Sequence, residues 1–527
     1  VHVHTSLSDG GGTPEEVLEA ANAAQLDFVA ITDHNHMDAF GFEGYHDETL
    51  VVVGAELSTT KGHLIGLGLE RDPPYRFSGD AIDGLTDIQE LEGFPVIAHP
   101  WSPRKDLAWT DFDLPGPWGL EILNGDSAWR SAGARLSWTL AFYPINSRFA
   151  LLRILTRPHA ALARWDALLR QRPVLGIYGT DAHGRLPLTE TWSVNLPSYD
   201  SVFGLARNHV LLKREPSGDA SSDRTALIDA LRSGRSYIGI DGLAPANGFE
   251  FVVESESGER WTMGESLELE SGLRARAGGL VPAGARIQLL RNGELLAESV
   301  EQLKEPLPGE GVYRVEVLVD DWAVPWILTN PIGVFDPETL AARTAAAAPL
   351  QAHEGGREPT TILDDFNAET TFVGGHDAES LLDENILTPE GGVEGGGLRM
   401  KFRLAEPTPS EPDVFVALVS WEHRDLSRFE GMTLSIRGDG VYRMWVQVRD
   451  ENPSSADDGT EWWFASVKTA RDWRRVTLPF SKLRSLDPQT DGKIDLDRVR
   501  AIVFVIDKGA MKPGSHGTIW IDELGAY

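Results

Sequence analysis

Short apolar runs alternate with amphipathic stretches through the first half of the chain. Phe28-Val29-Ala30-Ile31-Thr32, Val51-Val52-Val53, Pro95-Val96-Ile97-Ala98 and Val174-Leu175-Gly176-Ile177 read as buried strands. Thr13 before Pro14-Glu15-Glu16 supplies an N-cap, a first-turn proline and an acidic first turn. Val17, Leu18, Ala21 and Ala24 continue that helix. Strands separated by helices predict βα units and a parallel sheet or barrel over residues 1–243.

After about residue 244 the period shortens. Phe249-Glu250-Phe251-Val252-Val253, Arg286-Ile287-Gln288-Leu289-Leu290 and Tyr313-Arg314-Val315-Glu316-Val317 are short strands, and Asn292-Gly293 is a hairpin turn. A small β-sandwich over 244–336 is expected. Residues 337–359 are rich in Ala, Pro, Gly and Glu and read as a linker, its first part a short helix capped by Asp336 and Pro337. Residues 360–527 return to alternation, as in Met432–Arg437, Met444–Val448 and Ile502–Ile506, and predict a second sandwich. The fold class is therefore multidomain, an α/β barrel followed by two β-sandwiches.

Composition narrows the chemistry. The 527 residues carry 48 Lys and Arg against 80 Asp and Glu, a net charge of −32. Such a surface repels nucleic-acid backbones, so duplex binding is not expected, and it attracts divalent cations. The absence of cysteine excludes disulfides and thiolate metal sites. No apolar run reaches the length of a membrane-spanning helix, roughly 18 residues. The chain opens at Val1 and passes at once into His2-Val3-His4, which reads as a trimmed chain; localisation is left open, a periplasmic or extracellular setting being compatible with the appended β domains.

Nine side chains carry the chemistry. His2 and His4 alternate at a strand edge, where two imidazoles point to one face. Asp9 lies on the tight loop Ser8-Asp9-Gly10. His34, Glu56, His99, Asp181 and His183 each follow a predicted strand, and His63 stands in Gly62-His63-Leu64. Residues at the C-terminal ends of parallel strands converge on one face. Mixed imidazole and carboxylate donors suit Zn, Mn or Fe. Nine donors exceed what one catalytic ion uses, so two or three divalent ions are expected.

His2-Val3-His4-Thr5, Ser8-Asp9-Gly10, Thr32-Asp33-His34, Ala98-His99-Pro100 and Thr180-Asp181-Ala182-His183 resemble the PHP (polymerase and histidinol phosphatase) superfamily over about residues 1–185. The resemblance implies a distorted seven-stranded (β/α) barrel with a two- or three-metal centre. Gly54-Ala55-Glu56-Leu57, Gly62-His63-Leu64-Ile65-Gly66-Leu67 and Pro325-Trp326 with Asn330-Pro331-Ile332 further resemble the CehA/McbA-type branch, which includes carbaryl hydrolases; the wider superfamily is mostly phosphoesterases. By that resemblance His2, His4, Glu56 and Asp181 would hold a first metal, and Asp9, His34 and His183 a second. His63 and His99 would hold a third, with Glu56 bridging. Asp9 replaces a His found in some members, which makes the second site harder and more tolerant of Mn or Fe.

The implied reaction uses a metal-bridging hydroxide in the region of Glu56 and Asp181 as nucleophile. Ser6 and Ser8 show no nucleophile-elbow context. Asp33 and His36 are candidate proton donors to the leaving group, or else they shape the site. Trp101, Arg104, Asn124 and Arg185 are candidate substrate residues, with an anionic or aromatic small-molecule ester as the expected partner. Arg185 pairing with a surface carboxylate is the alternative. Glu121 and Asn124 are placed to orient a ligand histidine.

Between Arg130 and Arg172 stand eight arginines and one acid, Asp166, interleaved with Trp138, Phe142, Tyr143, Phe149 and Trp165. This insertion reads as amphipathic helices packed on the barrel or a neighbouring domain, as a lid over the metals, or as a membrane-surface contact. Trp473–Phe480, Ile502–Phe504 and Ile519–Leu524 resemble galactose-binding-like jelly rolls of some carbohydrate-binding modules. That resemblance implies a glycan partner at Trp421, Trp445, Trp462 or Trp463, and Asp364, Asp365 and Asp522 are candidates for a structural calcium. The expected activity is a phosphoesterase. A carbamate or aryl-ester hydrolase is the alternative, and a glycan-binding surface protein with a vestigial barrel is the alternative of another class.

Overall fold

A computed structural model of the protein describes every residue except 188, 190–192, 351–355, 456–458, 486 and 488, together with the side chain of Pro187. The chain forms two compact units: Val1–Asp72 with Gly84–Leu350, and Pro73–Asp83 with Gln351–Tyr527.

The first unit begins with helix α1 (Pro14–Ala23). Thr13 and Glu16 close a reciprocal capping box at its start, and Val17, Ala20 and Ala21 face the core. Strand β1 (Phe28–Ile31) pairs in parallel with β3 (Thr49–Val53), and β2 (Gly44–His46) lies antiparallel on β3. A second sheet runs in the order β4 (Ala55–Thr59), β5 (Gly62–Leu67), β6 (Phe94–Ile97), β7 (Gly119–Asn124), β8 (Leu175–Gly179). Helix α2 (Ala81–Glu90) precedes β6. Helices α3 (Gly125–Arg130), α4 (Arg135–Phe142), α5 (Ser147–Leu152) and α6 (His159–Leu169) fill the crossover from β7 to β8.

The sheet is not wholly parallel, as the βα rhythm predicted. β5 runs against both β4 and β6. Only Thr60 and Lys61 separate β4 from β5, too few for a crossover, so they turn a hairpin. The two sheets are joined through short links. His34 and Glu56 form a parallel bridge, as do Val3 and Ala182. Thr32 donates to the Val3 carbonyl at 2.8 Å, and Thr180 donates to that of Val1 at 3.0 Å. Backbone bonds thus pass from residues 1–4 through β1, β3–β4, β5, β6, β7 and β8 and back to residues 1–4. Ala30, Val52, Ile65, Val96 and Ile177 form one core inside this circuit, closed by Leu227, Ile228 and Leu231 of the helix Ala220–Arg232.

Residue 243 does not interrupt the next sheet. Arg207–Val210 and Ser236–Gly239 pair onward to Ile327–Thr329, Gly311–Val319, Ala285–Arg291 and Glu294–Ser299. The sandwich expected over 244–336 is therefore built jointly with strands that precede it. Its second sheet holds Arg260–Thr262, Glu250–Glu254, Arg274–Gly278 and Leu303–Pro306. Asn292 and Gly293 both adopt positive φ, +54° and +88°, as the hairpin between Ala285–Arg291 and Glu294–Ser299 requires. Pro337–Ala346 is a helix capped by Asp336.

Strand β8 meets its other neighbours through side chains. Asn330 accepts from the Gly176 amide at 2.7 Å and donates to its carbonyl at 2.9 Å. Asn208 does the same for Tyr178, at 2.9 and 2.7 Å. Each primary amide stands in for one peptide of an absent strand, and this satisfies a buried edge. Arg314 is buried with Asp166 and Glu316, each at 2.7 Å, and Arg157 meets the same Glu316. These contacts hold α6 to the middle sheet.

The second unit is a pair of antiparallel sheets. One has the order Leu381–Leu382, Gly397–Arg403, His516–Ala526, Gly431–Gly438, Arg474–Pro479. The other runs Phe372–His376, Phe415–Ser420, Val499–Asp507, Arg443–Glu451, Thr460–Lys468, Arg484–Ser485. Segment 73–83 belongs to this unit: Phe77 is buried and Tyr75 bridges Met511. Trp421 and Trp462 are exposed, at 55% and 42%, whereas Trp463 is buried on Asp450 and Trp445 donates to Asp507. The carboxylates expected to hold calcium are occupied by the chain: Asp364 by Phe366 and Thr370, Asp365 by Asn367, Asp522 by Val393 and Glu523.

Replacing Asn330 by Ala leaves the Gly176 amide and carbonyl buried and unpaired. Each such group costs about 1–3 kcal/mol. Urea unfolding followed by circular dichroism is expected to report a loss of about 3 kcal/mol. A change within about 0.5 kcal/mol would show that the amide does not sustain β8.

Candidate metal centre

All nine predicted donors converge. Glu56 is the hub. Its Oε1 lies 2.8 Å from Nδ1 of His63 and 2.8 Å from Nε2 of His99. Its Oε2 lies 3.3 Å from Nε2 of His2, 3.1 Å from Nε2 of His4 and 3.2 Å from Nδ1 of His34. Asp181 Oδ1 stands 3.4 Å from the same nitrogens of His2 and His4. Asp9, half exposed on its loop, reaches His183 at 3.4 Å and His4 and His34 at 3.7 Å.

Four overlapping sets of donor atoms lie within 4.8 Å of one another: His4, Asp9, His34 and His183; His2, His99 and Asp181; His2, His4 and Glu56; His34, Glu56 and His63. The partition differs from the one the resemblance implies, because His99 stands with His2 and Asp181, and His4 is shared. His2, His99 and Asp181 have positive φ, +67°, +27° and +51°. Non-glycine residues rarely adopt this region, and it costs of order 1–3 kcal/mol each. His2 therefore does not reach His4 by strand alternation; the kink swings its Nε2 to 3.1 Å from that of His4.

The residues fit divalent ions. Nδ1 of His4, Nδ1 of His34, Nδ1 of His99 and Oε2 of Glu56 are buried without a hydrogen-bond partner. Buried polar atoms are seldom left so. Lone pairs facing one another across about 3 Å are what a shared cation would satisfy. Glu121, which the sequence reading placed behind the ligands, accepts from Nδ1 of His2 at 2.7 Å and from the His99 amide at 2.6 Å. This turns His2 Nε2 inward.

The fields are strong. Burial opposes charge on His4, yet Asp181 and Glu56 outweigh it and hold the imidazole at about 10. Burial likewise opposes charge on His99, and Glu56 holds it at about 9. His34 is pushed down to about 4, by burial first, with the attraction of Glu56 partly offset by His4. Glu56 and Asp181 stay well below the usual carboxylate range because the imidazoles, His2 first, outweigh their burial.

Residues 1–71 match the PHP domain family. An uncharacterized protein of Methanocaldococcus jannaschii is 32% identical over 146 residues, which cover 24% of this chain and 80% of the relative. The chain belongs to the PHP family. An error-prone DNA polymerase of Nocardia farcinica is 28% identical over 132 residues, 25% of this chain but 11% of the polymerase. A family 11 carbohydrate-binding module of Clostridium thermocellum, solved with a β-1,3-1,4-mixed-linked tetrasaccharide, is 17% identical and covers 32% of this chain and 96% of that one at a TM-score of 0.27. No ligand follows from a likeness of that size. Membership in the PHP family fits a metal-dependent hydrolase.

The PHP centre floors a cavity of ≈ 930 Å³. Arg104 and Arg185 line it; Trp101 and Asn124 do not. They border a separate cleft of ≈ 220 Å³ behind His99, where Trp101 stacks on Phe112 and Asn124 caps α3 while donating to Glu121. Asp33 and His36 also lie outside the cavity. Asp33 accepts from the amide and hydroxyl of Thr5 and from Ser8, and His36 meets the Leu7 carbonyl at 3.1 Å. Both pin the loop that carries Asp9, so neither faces a leaving group.

Sequence reading missed two groups. The Tyr199 hydroxyl stands 2.8 and 2.9 Å from the carbonyls of His4 and His183 and locks both loops; nothing near it in sequence marks it. Asp126 lines the cavity beside Arg130, at the foot of α3. Four arginines of the island meet partners in the chain: Arg157 on Glu316, Arg170 on the Asn292 carbonyl, Arg172 on that of Leu114, Arg153 over Trp322.

The raised values of His4 and His99 stabilise the metal-free PHP domain below the ordinary imidazole value of 6.5. That contribution is lost as pH rises through about 9 and 10. Bound metal needs the neutral imidazoles, so its affinity should climb across the same window. Thermal midpoints with and without chelator are expected to diverge from pH 6.5 upward. A metal-free midpoint that rose over that range would contradict the assignment.

Proposed function

We propose that the protein is a metal-dependent phosphoesterase acting on a small-molecule ester, on a PHP domain of the distorted seven-stranded (β/α) barrel type. The reading rests on one observation: eight further donors gather about a fully buried Glu56, with four atoms of the nine orphaned, and most of them line a cavity wide enough for an organic substrate. His2, His4, Asp9, His34, Glu56, His63, His99, Asp181 and His183 would hold two or three ions of Mn, Zn or Fe. Such ions supply Lewis acidity and a water that ionises near neutral pH.

The remaining roles belong to the chain's own residues. Glu121 fixes the orientation of His2, and Tyr199 and Asp33 fix the loops of His4, His183 and Asp9. Arg185 lines the cavity, and among the described residues it forms no ion pair, which suits it to gripping an anionic oxygen. This cation favours phosphoesters over neutral esters. The apolar part of the cavity supports the second reading, an aryl carbamate or ester hydrolase of the CehA/McbA type. A glycan at the C-terminal sandwich is supported by exposed Trp421 and Trp462 flanking Arg449, at 5.7 and 3.8 Å.

The test is a panel of p-nitrophenyl phosphate, bis-p-nitrophenyl phosphate, p-nitrophenyl acetate and an aryl carbamate, assayed before and after chelation. Phosphoester turnover should vanish on chelation and return with Mn²⁺ or Zn²⁺. Exclusive turnover of the carbamate would select the second reading, and inactivity at full metal loading would favour a glycan-binding protein with a vestigial barrel. Glu121→Gln is expected to lower metal affinity or kcat/KM about 10–100-fold, measured by metal titration and steady-state kinetics. An unchanged value would remove Glu121 from the site.

A further inference from the structure

The cavity has a second pole that metal chemistry does not explain. Besides the donors it is lined by Trp129 of α3, Leu136 of α4, Leu151 of α5, the following Ile154 and Leu155, and Leu205. The wall is preformed: Thr139 of α4 and Ala150 of α5 are buried against each other behind it, and Leu151, Ile154 and Leu155 are themselves held in the core. At ≈ 930 Å³ the space sits at the upper end of the ~300–1,000 Å³ typical of small-molecule sites. Two of the three arginines that line it are neutralised, Arg104 by Asp106 and Arg130 by Asp126. Arg185 is the one cation of the lining without an acidic partner among the described residues.

Metal donors, one cation without an acidic partner among the described residues, and a packed apolar wall complement one class of molecule. We infer that the substrate is a phosphodiester, a monoanion, carrying an apolar chain or ring that lies against the α4–α5 wall. The inference rests on the phosphoesterase reading and names the substrate class for that site. The crossover insertion is then a specificity element, recruited from helices that also pack on the middle sheet.

A series of 4-nitrophenyl alkyl phosphodiesters, methyl, butyl and octyl, keeps the leaving group constant and varies only the apolar arm. Full burial of one methylene corresponds to about four-fold in affinity. From methyl to butyl, kcat/KM should rise about tenfold or more. The less buried Leu136→Ser should bring the octyl-to-methyl ratio toward one, at unchanged metal content and melting temperature. Binding gives a second readout: 1-anilinonaphthalene-8-sulfonate should brighten on the metal-free protein and be displaced by the octyl diester well before the methyl diester. Equal kcat/KM along the series overturns the apolar arm. Hydrolysis of p-nitrophenyl phosphate with no diester turned over overturns the diester and leaves the phosphoesterase reading standing. No turnover of any phosphoester removes both.

Discussion

Everything in the first unit is arranged around a carboxylate that should not be where it is. Glu56 is fully buried and meets five imidazoles, three of them on an oxygen with no hydrogen bond. Taking a carboxylate from water is costly unless it is paired. Here the pairing comes from side chains on β5, at the end of β1, after β6 and in the first four residues. The charge of one residue thus obliges four distant segments to meet.

The scaffold meets that demand with backbone placed where it is least comfortable. His2, His99 and Asp181 share one set of donors and all lie in the left-handed region. Such strain persists only when the surroundings over-determine it. Glu121, Tyr199 and the closed circuit of backbone bonds supply that constraint, and the amides of Asn208 and Asn330 complete the edge of β8 just before Asp181. The middle sheet is therefore structural support for the metal centre as well as an appended domain.

The insertion between β7 and β8 shows how one sequence feature divides its work. Its arginines looked like a basic island, yet in three dimensions most face carboxylates, carbonyls or aromatic rings. Its Leu136, Leu151, Ile154 and Leu155, set among those arginines in the sequence, line the cavity. A charge run read in one dimension does not show what it meets, because partners distant in sequence, such as Glu316 and Trp322, are invisible to it.

The nine donors, the strands that carry them and the capped helix at Thr13 were legible in the sequence, because ligand chemistry and local periodicity are short-range properties. The two sandwiches were legible for the same reason. Tertiary structure alone decided which of these side chains cluster together, since that depends on backbone kinks at His2, His99 and Asp181 rather than on strand alternation. It also turned Asp33 and His36 from proton donors into loop anchors, moved Trp101 and Asn124 behind the site, brought residues 73–83 to the second unit, and extended one sheet across residue 243. Each of these rests on a contact between segments far apart in the chain, and no local pattern encodes the distance between them.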